Sequence, residues 1–462
     1  MSLTSTPTDN PPQNKQRQTP ASHYHVEPVQ PAGNRVENFL TAFAAILRHS
    51  NYHFLLDLYA HSSPKCGRCA VTCQVYQATG DPCDVPCYRT NLLLDVYRRH
   101  FTTSGWLQSK FFNHSALTEE KIDEMAEAFY RCTACRRCKL ECPLGIDHGL
   151  ITHLGRYILS ESGIAPKGLV VSVREQLEGK TGNTSAIPLP ALLDNLEFLE
   201  EELADMKGVE VKFPVDRQNA EYIFFPAVSD YLMEADTLMG NAAVLHAAGI
   251  DWTIGSGYFD GINYGLFYND WVLERIVQKL VAEARRLNAK KILIGECGHA
   301  SRSAKQFAAA LTDGEALPVV NILELTHQML TAGKLQLDPN IIQERVTYHD
   351  PCNLARSGWI VNQPREILRR CTRNFVEMTP GGARNYCCGG GGGLVSLDET
   401  HDFRMQVVGQ TKAEQIRATG ADIVVSPCAN CKKQLREIVD YHKIPAEIMG
   451  VHDLVLRAIK LL

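Results

Sequence analysis

Four cysteines fall within eleven residues of this chain and leave it few ways to fold around them. The stretch CTACRRCKLECP places Cys132, Cys135, Cys138 and Cys142 in the spacing Cys-x2-Cys-x2-Cys-x3-Cys-Pro. Three thiolates with this spacing wrap one face of a 4Fe-4S cubane, and the fourth ligates the other cluster of a pair. Structural zinc sites usually present two separated cysteine pairs. The segment therefore predicts two iron–sulfur clusters rather than zinc.

The partner motif for the second cluster lies upstream in SPKCGRCAVTCQ, which begins at Ser63. On the same spacing, Cys66, Cys69 and Cys73 take the second, third and fourth positions, and Ser63 takes the first. With crossed ligation, Cys73 would complete the cluster of the first three downstream cysteines. Cys142 would join Cys66 and Cys69, and this leaves their cluster one thiolate short.

Two further cysteines are available for the incomplete cluster in TGDPCDVPCYR, residues 79–89. We expect Cys83 or Cys87 to replace the missing ligand, and the sequence does not decide between them. Ligation by Ser63 and a three-ligand cluster with a labile iron are the alternatives.

Composition and charge limit the binding partners and the cellular compartment that fit this chain. The chain has 16 cysteines among 462 residues and no export signal, which indicates metal binding in a reducing compartment rather than disulfides. A net charge of -5 does not favour nucleic acid or anionic lipid. No apolar run approaches the ~18 residues of a membrane span. We therefore expect a cytoplasmic chain without a span, with a membrane-bound partner left open.

The pattern along the chain predicts an α+β multidomain protein. From about residue 219, β-rich runs alternate with helices, and EYIFFPA and KKILIGEC parallel RVTYHDPC and ADIVVSPC. This repeat indicates two copies of one α/β module. The expected segments are a disordered tail (1–36), a helical dicluster domain (37–162), a connector (163–218) and the two modules (219–340 and 341–462).

The second set of cysteines lies in the last module. Cys352 follows a predicted strand, Cys387 and Cys388 are adjacent, and Cys428 and Cys431 form a Cys-x2-Cys pair. Five thiols exceed the four that one cubane or one zinc needs. Because the ends of parallel strands meet at one sheet edge, Cys352 and Cys428 are expected to lie together.

Five glycines follow the adjacent cysteines in NYCCGGGGG. We expect Gly389 and Gly390 to offer backbone N–H groups to a cluster and to keep side chains away from it. No Lys-Ser or Lys-Thr follows, as a phosphate-binding loop requires. A flexible loop beside structural cysteines is the alternative interpretation.

The pattern Cys352…Cys387-Cys388-Gly389…Cys428-x2-Cys431 resembles the CCG domain of heterodisulfide reductases. Over residues 50–462, a dicluster ferredoxin domain ahead of two CCG modules resembles the HdrD type of catalytic subunit. The segments TGDP and GECGHASR are similar to the DsrK type, from the DsrMKJOP complex of sulfur metabolism. The resemblance implies that the five cysteines bind a non-cubane 4Fe-4S cluster at which a disulfide is cleaved in one-electron steps.

The first module departs from that pattern. Ala227, a Gly-Ser-Gly and Ala300 stand where thiols would be, and only Cys297 is retained. We therefore expect one non-cubane cluster and two cubanes. Cys297 is predicted to face the non-cubane cluster as an extra ligand or as a thiol that receives half of a disulfide; the alternative is a structural cysteine. His299 is a candidate proton donor to a leaving thiolate, or a structural histidine.

The expected activity is reduction, or reversible formation, of a protein or small-molecule disulfide or trisulfide. The chain carries no flavin or NAD fingerprint, so electrons must come from another subunit. The resemblance implies a membrane cytochrome b as that subunit and a DsrC-like small thiol protein as substrate. The alternative is an electron-relay subunit of a flavin-dependent glycolate, lactate or glycerol-3-phosphate dehydrogenase. The GECGHA segment and the single complete module favour the disulfide interpretation.

Overall fold

The computed structural model describes residues 33–63, 65–105, 107, 117–308 and 317–461. Most of the predicted tail lies outside these residues, and helix α1 (Arg35–His49) already includes its last two positions. Within the described ranges, no helix is both long and apolar enough to cross a membrane.

The N-terminal part of the chain is helical, as predicted. After α1 come α2 (Tyr52–Ser62), α3 (Gln74–Thr79), α4 (Pro86–Phe101), α5 (Glu119–Tyr130), α6 (Arg137–Glu141) and α7 (His148–Glu161). The cysteine motifs lie at the short elements and turns between the long helices. These connections are therefore held in place by the helix packing around them.

Helix α5 shows how the sequence builds this domain. The hydroxyl of its N-cap residue Thr118 accepts a hydrogen bond from a backbone N–H of the first turn, and two glutamates in that turn face the positive end of the helix dipole. The apolar face formed by Ile122, Met125 and Phe129 is buried in one core with residues of α1, α4 and α7. The helix is thus anchored from both its cap and its face.

The connector contains two helices, α8 (Lys167–Glu178) and α9 (Leu189–Lys207). Val170 of α8 belongs to one buried cluster with Trp271 and Leu394. These two residues come from the two successive halves of the C-terminal region. The connector is therefore packed into the molecule rather than laid over its surface.

The C-terminal region contains two four-stranded parallel sheets. Their strands run in the orders β2-β1-β3-β4 and β6-β5-β7-β8. The equal order agrees with the repeat in the sequence, and the four runs predicted as strands form β1, β3, β5 and β7. The bounds are β1 (Tyr222–Phe225), β2 (Trp252–Thr253), β3 (Lys291–Ile294), β4 (Val319–Asn321), β5 (Val346–Tyr348), β6 (Phe375–Glu377), β7 (Ile423–Val425) and β8 (Glu447–Met449).

Helices surround both sheets. Those of the first half are α10 (Ala235–Ala247), α11 (Asp270–Arg286), α12 (Gly298–Phe307) and α13 (Ile322–Thr331). Those of the second half are α14 (Cys352–Ala355), α15 (Asn362–Cys371), α16 (Gly409–Thr419), α17 (Ala429–Tyr441) and α18 (Val451–Ala458).

The two halves meet through α10 and α18 and through a buried carboxylate. Gly240 of α10 approaches α18 so closely that a Cβ would lie 2.0 Å from the carbonyl oxygen of His452. Glu296, just after β3, accepts hydrogen bonds from the backbone N–H groups of Val451 and His452 and lies 2.6 Å from His452 Nδ1. Because anions are stabilised at helix N-termini, Glu296 fixes α18 against the first sheet.

Candidate metal centres

Four cysteines from two distant motifs surround one small cavity in the helical domain. The cavity measures about 30 Å³, and Cys73, Cys132, Cys135 and Cys138 all line it. Burial and the three neighbouring thiols raise the pKa of Cys138. Buried Arg89 also lines the cavity, and its Nη2 donates to Cys73 Sγ at 3.8 Å. Four thiols beside one guanidinium suit an anionic thiolate-ligated cluster, and this is the set that crossed ligation predicts. We call it the inner site.

The cysteines predicted to bind the second cluster include exposed side chains, whereas those of the inner site are all half-buried. Cys69 Sγ accepts from the backbone N–H of Cys87 at 3.3 Å, and a hydrogen bond between the two thiols lowers the pKa of Cys87 to about 6. Cys83 is exposed and interacts with Tyr88 and Asp81 instead. The geometry therefore favours Cys87 over Cys83 as the fourth ligand. We call Cys69 and Cys87, together with the partners Cys66 and Cys142 that the sequence predicts for them, the outer site.

Ser63 lies near the outer site without reaching a thiol in any hydrogen bond of the described residues. Its hydroxyl accepts from Asn91 Nδ2 at 3.4 Å, and the same nitrogen donates to the carbonyl of Cys87 at 2.8 Å. Cys66 is exposed, whereas Cys142 is half-buried. The outer site is thus the one open to solvent.

The five cysteines of the last module come together at one sheet edge. Cys388 Sγ lies 3.3 Å from Cys431 Sγ, and the thiol of Cys387 interacts with those of Cys352 and Cys388. Hydrogen bonds from its neighbours Cys387 and Cys431 hold the pKa of Cys388 well below its usual range. Cys428 follows β7, as Cys352 follows β5, so their shared edge is the one the sequence indicated. We call these five thiols the CCG site.

Cys297 of the first half also reaches the CCG site. Hydrogen bonds with Cys297 and Cys431 lower the pKa of Cys428 strongly. Cys297 Sγ in turn lies 3.3 Å from His299 Nδ1, and both residues are buried. The His299 ring packs 5.1 Å from that of Phe267, measured between centroids. The structure thus brings together the cysteine and the histidine that the sequence singled out in the first module.

Two polar residues that the sequence did not single out as ligands, His349 of the HDPC segment and Lys412, lie at the CCG site. The ligating atoms of His349, Cys388 and Cys431 all lie within 4.8 Å of one another. Lys412 of α16 is fully buried, and burial lowers its pKa to about 7 despite the nearby thiols. Its Nζ donates to Asn385 Oδ1 at 3.1 Å. An isolated lysine in a helix gives no spacing signal, so only the fold identifies it.

The glycine-rich loop lies directly on the backbone of the inner site. A Cβ on Gly391 would lie 2.5 Å from the Thr133 carbonyl oxygen, and one on Gly392 would lie 2.6 Å from that of Cys132. Arg156 joins the two loops, since its Nη1 donates to the Gly392 carbonyl at 2.6 Å and its Nη2 to the Cys132 carbonyl at 2.8 Å. These glycines therefore permit close approach of two backbones.

The first two glycines behave differently. The N–H of Gly389 donates to Cys387 Sγ at 3.4 Å, and its φ of 102° is one that side chains rarely adopt. Gly390 packs against Gln434, where a Cβ would meet the Gln434 Cβ at 3.0 Å. Gly389 thus has an N–H aimed at a thiol, while Gly390 packs closely against Gln434.

The inner site and the CCG site are in direct contact. A hydrogen bond with Cys387, together with burial, raises the pKa of Cys135 well above its usual value. Arg356 bridges the same two segments, because its Nε donates to the Cys135 carbonyl at 2.8 Å and its Nη1 to the Asn385 carbonyl at 2.7 Å. Thiols therefore form a connected series from the inner site to Cys297.

Comparison with known proteins agrees with this arrangement. Residues 64–146 match the family described as a 4Fe-4S dicluster domain, and residues 346–436 match the CCG family, a cysteine-rich domain. The fold and the thiol centres together define an iron–sulfur oxidoreductase with a dicluster ferredoxin domain and a CCG domain.

Individual relatives refine that class. The chain is 30% identical over 441 residues to an Hdr-like menaquinol oxidoreductase iron-sulfur subunit of Archaeoglobus profundus, covering 86% of this chain and 79% of that protein. It is 27% identical over 409 residues to the HdrD polypeptide of the dihydromethanophenazine:CoB--CoM heterodisulfide reductase of Methanosarcina barkeri, covering 86% and 93%. The chain belongs to this family of heterodisulfide reductase-like iron–sulfur subunits, and the predicted family is confirmed.

A third relative lies further away. The EtfAB:quinone oxidoreductase of Syntrophomonas wolfei is 23% identical over 439 residues, covering 88% of this chain and 59% of that protein. A protein similar to most of this chain thus carries a name that describes a different activity.

Proposed function

We propose that this chain reduces a protein or small-molecule disulfide or trisulfide, or forms one in the reverse direction, at the CCG site. The observation that carries this is the connected series of thiols from Cys135 through Cys387 and Cys388 to Cys428. A cubane or a zinc ion would use four thiols. A fifth cysteine, with Cys297 beside it, gives the centre more sulfur than a simple relay needs.

The donor sets suit three clusters: a cubane at the inner site, a cubane at the outer site and a non-cubane 4Fe-4S cluster at the CCG site. We assign the cubanes to residues 37–162 and the third cluster to residues 341–462, with residues 219–340 as a CCG module that has lost its own cluster. When bound, these clusters would supply electrons one at a time to a sulfur–sulfur bond.

The protein groups around the CCG site fit the other requirement, which is protons. Reduction of one disulfide takes two electrons and two protons and releases two thiols. His299 lies 3.3 Å from Cys297 Sγ and is suited to hold a proton beside a leaving thiolate. Cys297 itself is suited to serve as an extra ligand or to receive one half of the substrate.

The exposure of the two cubane sites suggests the direction of electron entry. Cys66 of the outer site is exposed, whereas Cys135 of the inner site contacts Cys387. An electron-donor subunit would therefore dock at the outer site. The name of the Archaeoglobus relative, a menaquinol oxidoreductase subunit, supports a membrane cytochrome b in that role, which would put the chain at the cytoplasmic face of a membrane complex. A DsrC-like small thiol protein is the substrate that the sequence resemblance favours.

The test is to purify the protein anaerobically, count iron and sulfide, and record EPR spectra after oxidation with and without a thiol. We expect ~12 irons per chain, from three four-iron clusters, and a paramagnetic species that depends on the thiol. About eight irons with only reduced-cubane signals would overturn the proposal.

The second candidate is an electron-relay subunit of a flavin-dependent dehydrogenase. The similarity to an EtfAB:quinone oxidoreductase over 88% of this chain favours it, since that name describes electron transfer without a disulfide. A full complement of iron without any thiol-dependent species would select this candidate.

A further inference from the structure

A small cavity lies at the junction of the helical domain and the two modules. Its volume is about 80 Å³, and a cavity needs only about 10–15 Å³ to hold one water molecule. It has room for one compact polar group but not for a whole disulfide substrate. Tyr52 and His153 line it from the helical domain, Arg302 and Gln306 from α12, and Asn353 from α14.

Arg302 gives this cavity a positive charge that has no direct ion-pair partner among the described residues. Its Nε donates to Gln306 Oε1 at 3.3 Å and its Nη1 to Asn353 Oδ1 at 3.2 Å. Both acceptors are neutral, and no carboxylate of the described residues forms an ion pair with Arg302. Arg302 is half-buried, and partial loss of solvent, followed by the charge of Arg136, lowers its pKa to about 10 against the opposing charge of Asp147. A guanidinium so placed is stabilised by an anion.

The other charged groups of the cavity wall already have partners. Arg136 Nε lies 3.3 Å from Asp147 Oδ2. Asp270 accepts from the Tyr52 hydroxyl at 2.9 Å and lies 2.6 Å from His153 Nε2. The N–H groups of Arg302 Nη2 donate to none of the described residues. These are the donors left for a ligand.

The cavity also adjoins the CCG site. Asn353, whose side chain holds Arg302, directly follows Cys352, and the Cys352 thiol is among the groups that act on the Arg302 charge. Phe267 lines the cavity as well and packs on the ring of His299. The cavity therefore lies beside the segment that carries Cys352 and against the aromatic ring that packs on His299.

We propose that this cavity is an anion-binding subsite in which Arg302 holds a carboxylate or similar anionic group of the substrate while its sulfur–sulfur bond lies at the CCG site. The inference rests on the proposed disulfide chemistry and narrows its substrate to anionic disulfides. Gln306 and Asn353 act as positioning residues, because they hold the guanidinium rather than contact the anion.

The test compares two disulfides of similar size, the dianion 3,3′-dithiodipropionate and the neutral bis(2-hydroxyethyl) disulfide. Their binding to the anaerobic, oxidised, cluster-loaded protein is measured by calorimetry, with no reductant present so that no turnover occurs. We expect tighter binding of the dianion. Arg302→Gln should weaken it about tenfold, or about 1.4 kcal/mol, and leave the neutral disulfide unchanged. Arg302→Lys should retain most of the difference.

Arg217→Gln serves as the matched control, since it removes the same charge from an exposed surface ion pair with Asp251. Iron content and circular dichroism must match in all variants. The proposal is overturned if the unsubstituted protein does not prefer the dianion, or if Arg302→Gln binds both disulfides as the parent does or weakens both equally.

A separate readout distinguishes the two proposals. If the thiol-dependent EPR species is absent but dianion binding still requires Arg302, the anion-binding subsite is supported and the disulfide chemistry is contradicted. If the EPR species forms and Arg302 does not affect dianion binding, the subsite falls alone.

Discussion

The side chain of Gln74 holds the backbone of Cys387 on both sides. Its Oε1 accepts from the Cys387 N–H at 2.6 Å, and its Nε2 donates to the Cys387 carbonyl at 3.1 Å. Gln74 directly follows Cys73 of the inner site, so one amide joins a ligand segment of each centre. The contact between the Cys135 and Cys387 thiols depends on this alignment.

Replacing Gln74 with leucine should therefore destabilise the junction. The buried N–H of Cys387 would lose its partner, and such a loss costs about 1–3 kcal/mol. We expect a lower midpoint of chemical unfolding and slower electron transfer from the cubanes to the CCG site in rapid-freeze EPR. Gln77→Leu is the control, because Gln77 also donates to a carbonyl but lies at the surface. Equal effects of the two substitutions would contradict this role of Gln74.

Cys388→Ser should remove the thiol-dependent EPR species and lower the iron content from ~12 to ~8, because Cys388 contacts both Cys387 and Cys431. The reduced-cubane signals should persist. Cys371→Ser is the control, since Cys371 is fully buried on α15 and its raised pKa has burial as its sole cause. Loss of the cubane signals in Cys388→Ser would show that the two cysteine sets do not assemble independently.

Cys87→Ser and Cys83→Ser should separate the two candidates for the fourth ligand of the outer site. Cys87 hydrogen-bonds to the Cys69 thiol, whereas Cys83 is exposed and interacts with Tyr88. We expect Cys87→Ser to alter or remove one cubane signal, and Cys83→Ser to leave iron content and spectra unchanged. The reverse result would assign the ligand to Cys83 and would require rearrangement of the segment around it.

Asp260 should make the free energy of unfolding depend on pH. It is fully buried, accepts from Thr184 N at 2.8 Å and Ile262 N at 2.7 Å, and burial raises its pKa to about 6. The pKa of an aspartate in the unfolded chain is lower, about 4. Between about pH 4 and 6 the native state therefore binds a proton at Asp260 that the unfolded state does not. The carboxyl therefore contributes less stability as the pH rises through this window.

The measurement is thermal unfolding of the parent and of Asp260→Asn at pH 5.5 and pH 7.5. Because asparagine cannot ionise, the free energy of unfolding of the variant relative to the parent should be about 1 kcal/mol higher at pH 7.5 than at pH 5.5. An exposed control, Asp402→Asn, should show no such difference. If Asp260→Asn is instead less stable relative to the parent at pH 7.5, the hydrogen bonds to the Asp260 carboxylate stabilise the fold by more than its burial costs.

Local spacing predicted much of the chemistry. A cubane is ligated largely by cysteines a few residues apart, so the motif around Cys132 indicated iron and sulfur before any fold was known. The repeat of strands ending near Ala227 and Cys352 likewise predicted two copies of one α/β module, because each copy carries its own hydrophobic pattern. These features depend on neighbours along the chain.

What the spacing could not decide depends on packing between distant segments. The sequence does not distinguish Cys83 from Cys87 as the fourth ligand of the outer site. The packing of α4 against the turn at Cys69 favours Cys87. The packing between domains also determines the close backbone approach of Gly391 to Thr133 and the burial of Lys412. The sequence by itself determined which metal chemistry the chain carries; the tertiary structure decided how the centres connect, because their contacts join residues that no local pattern relates.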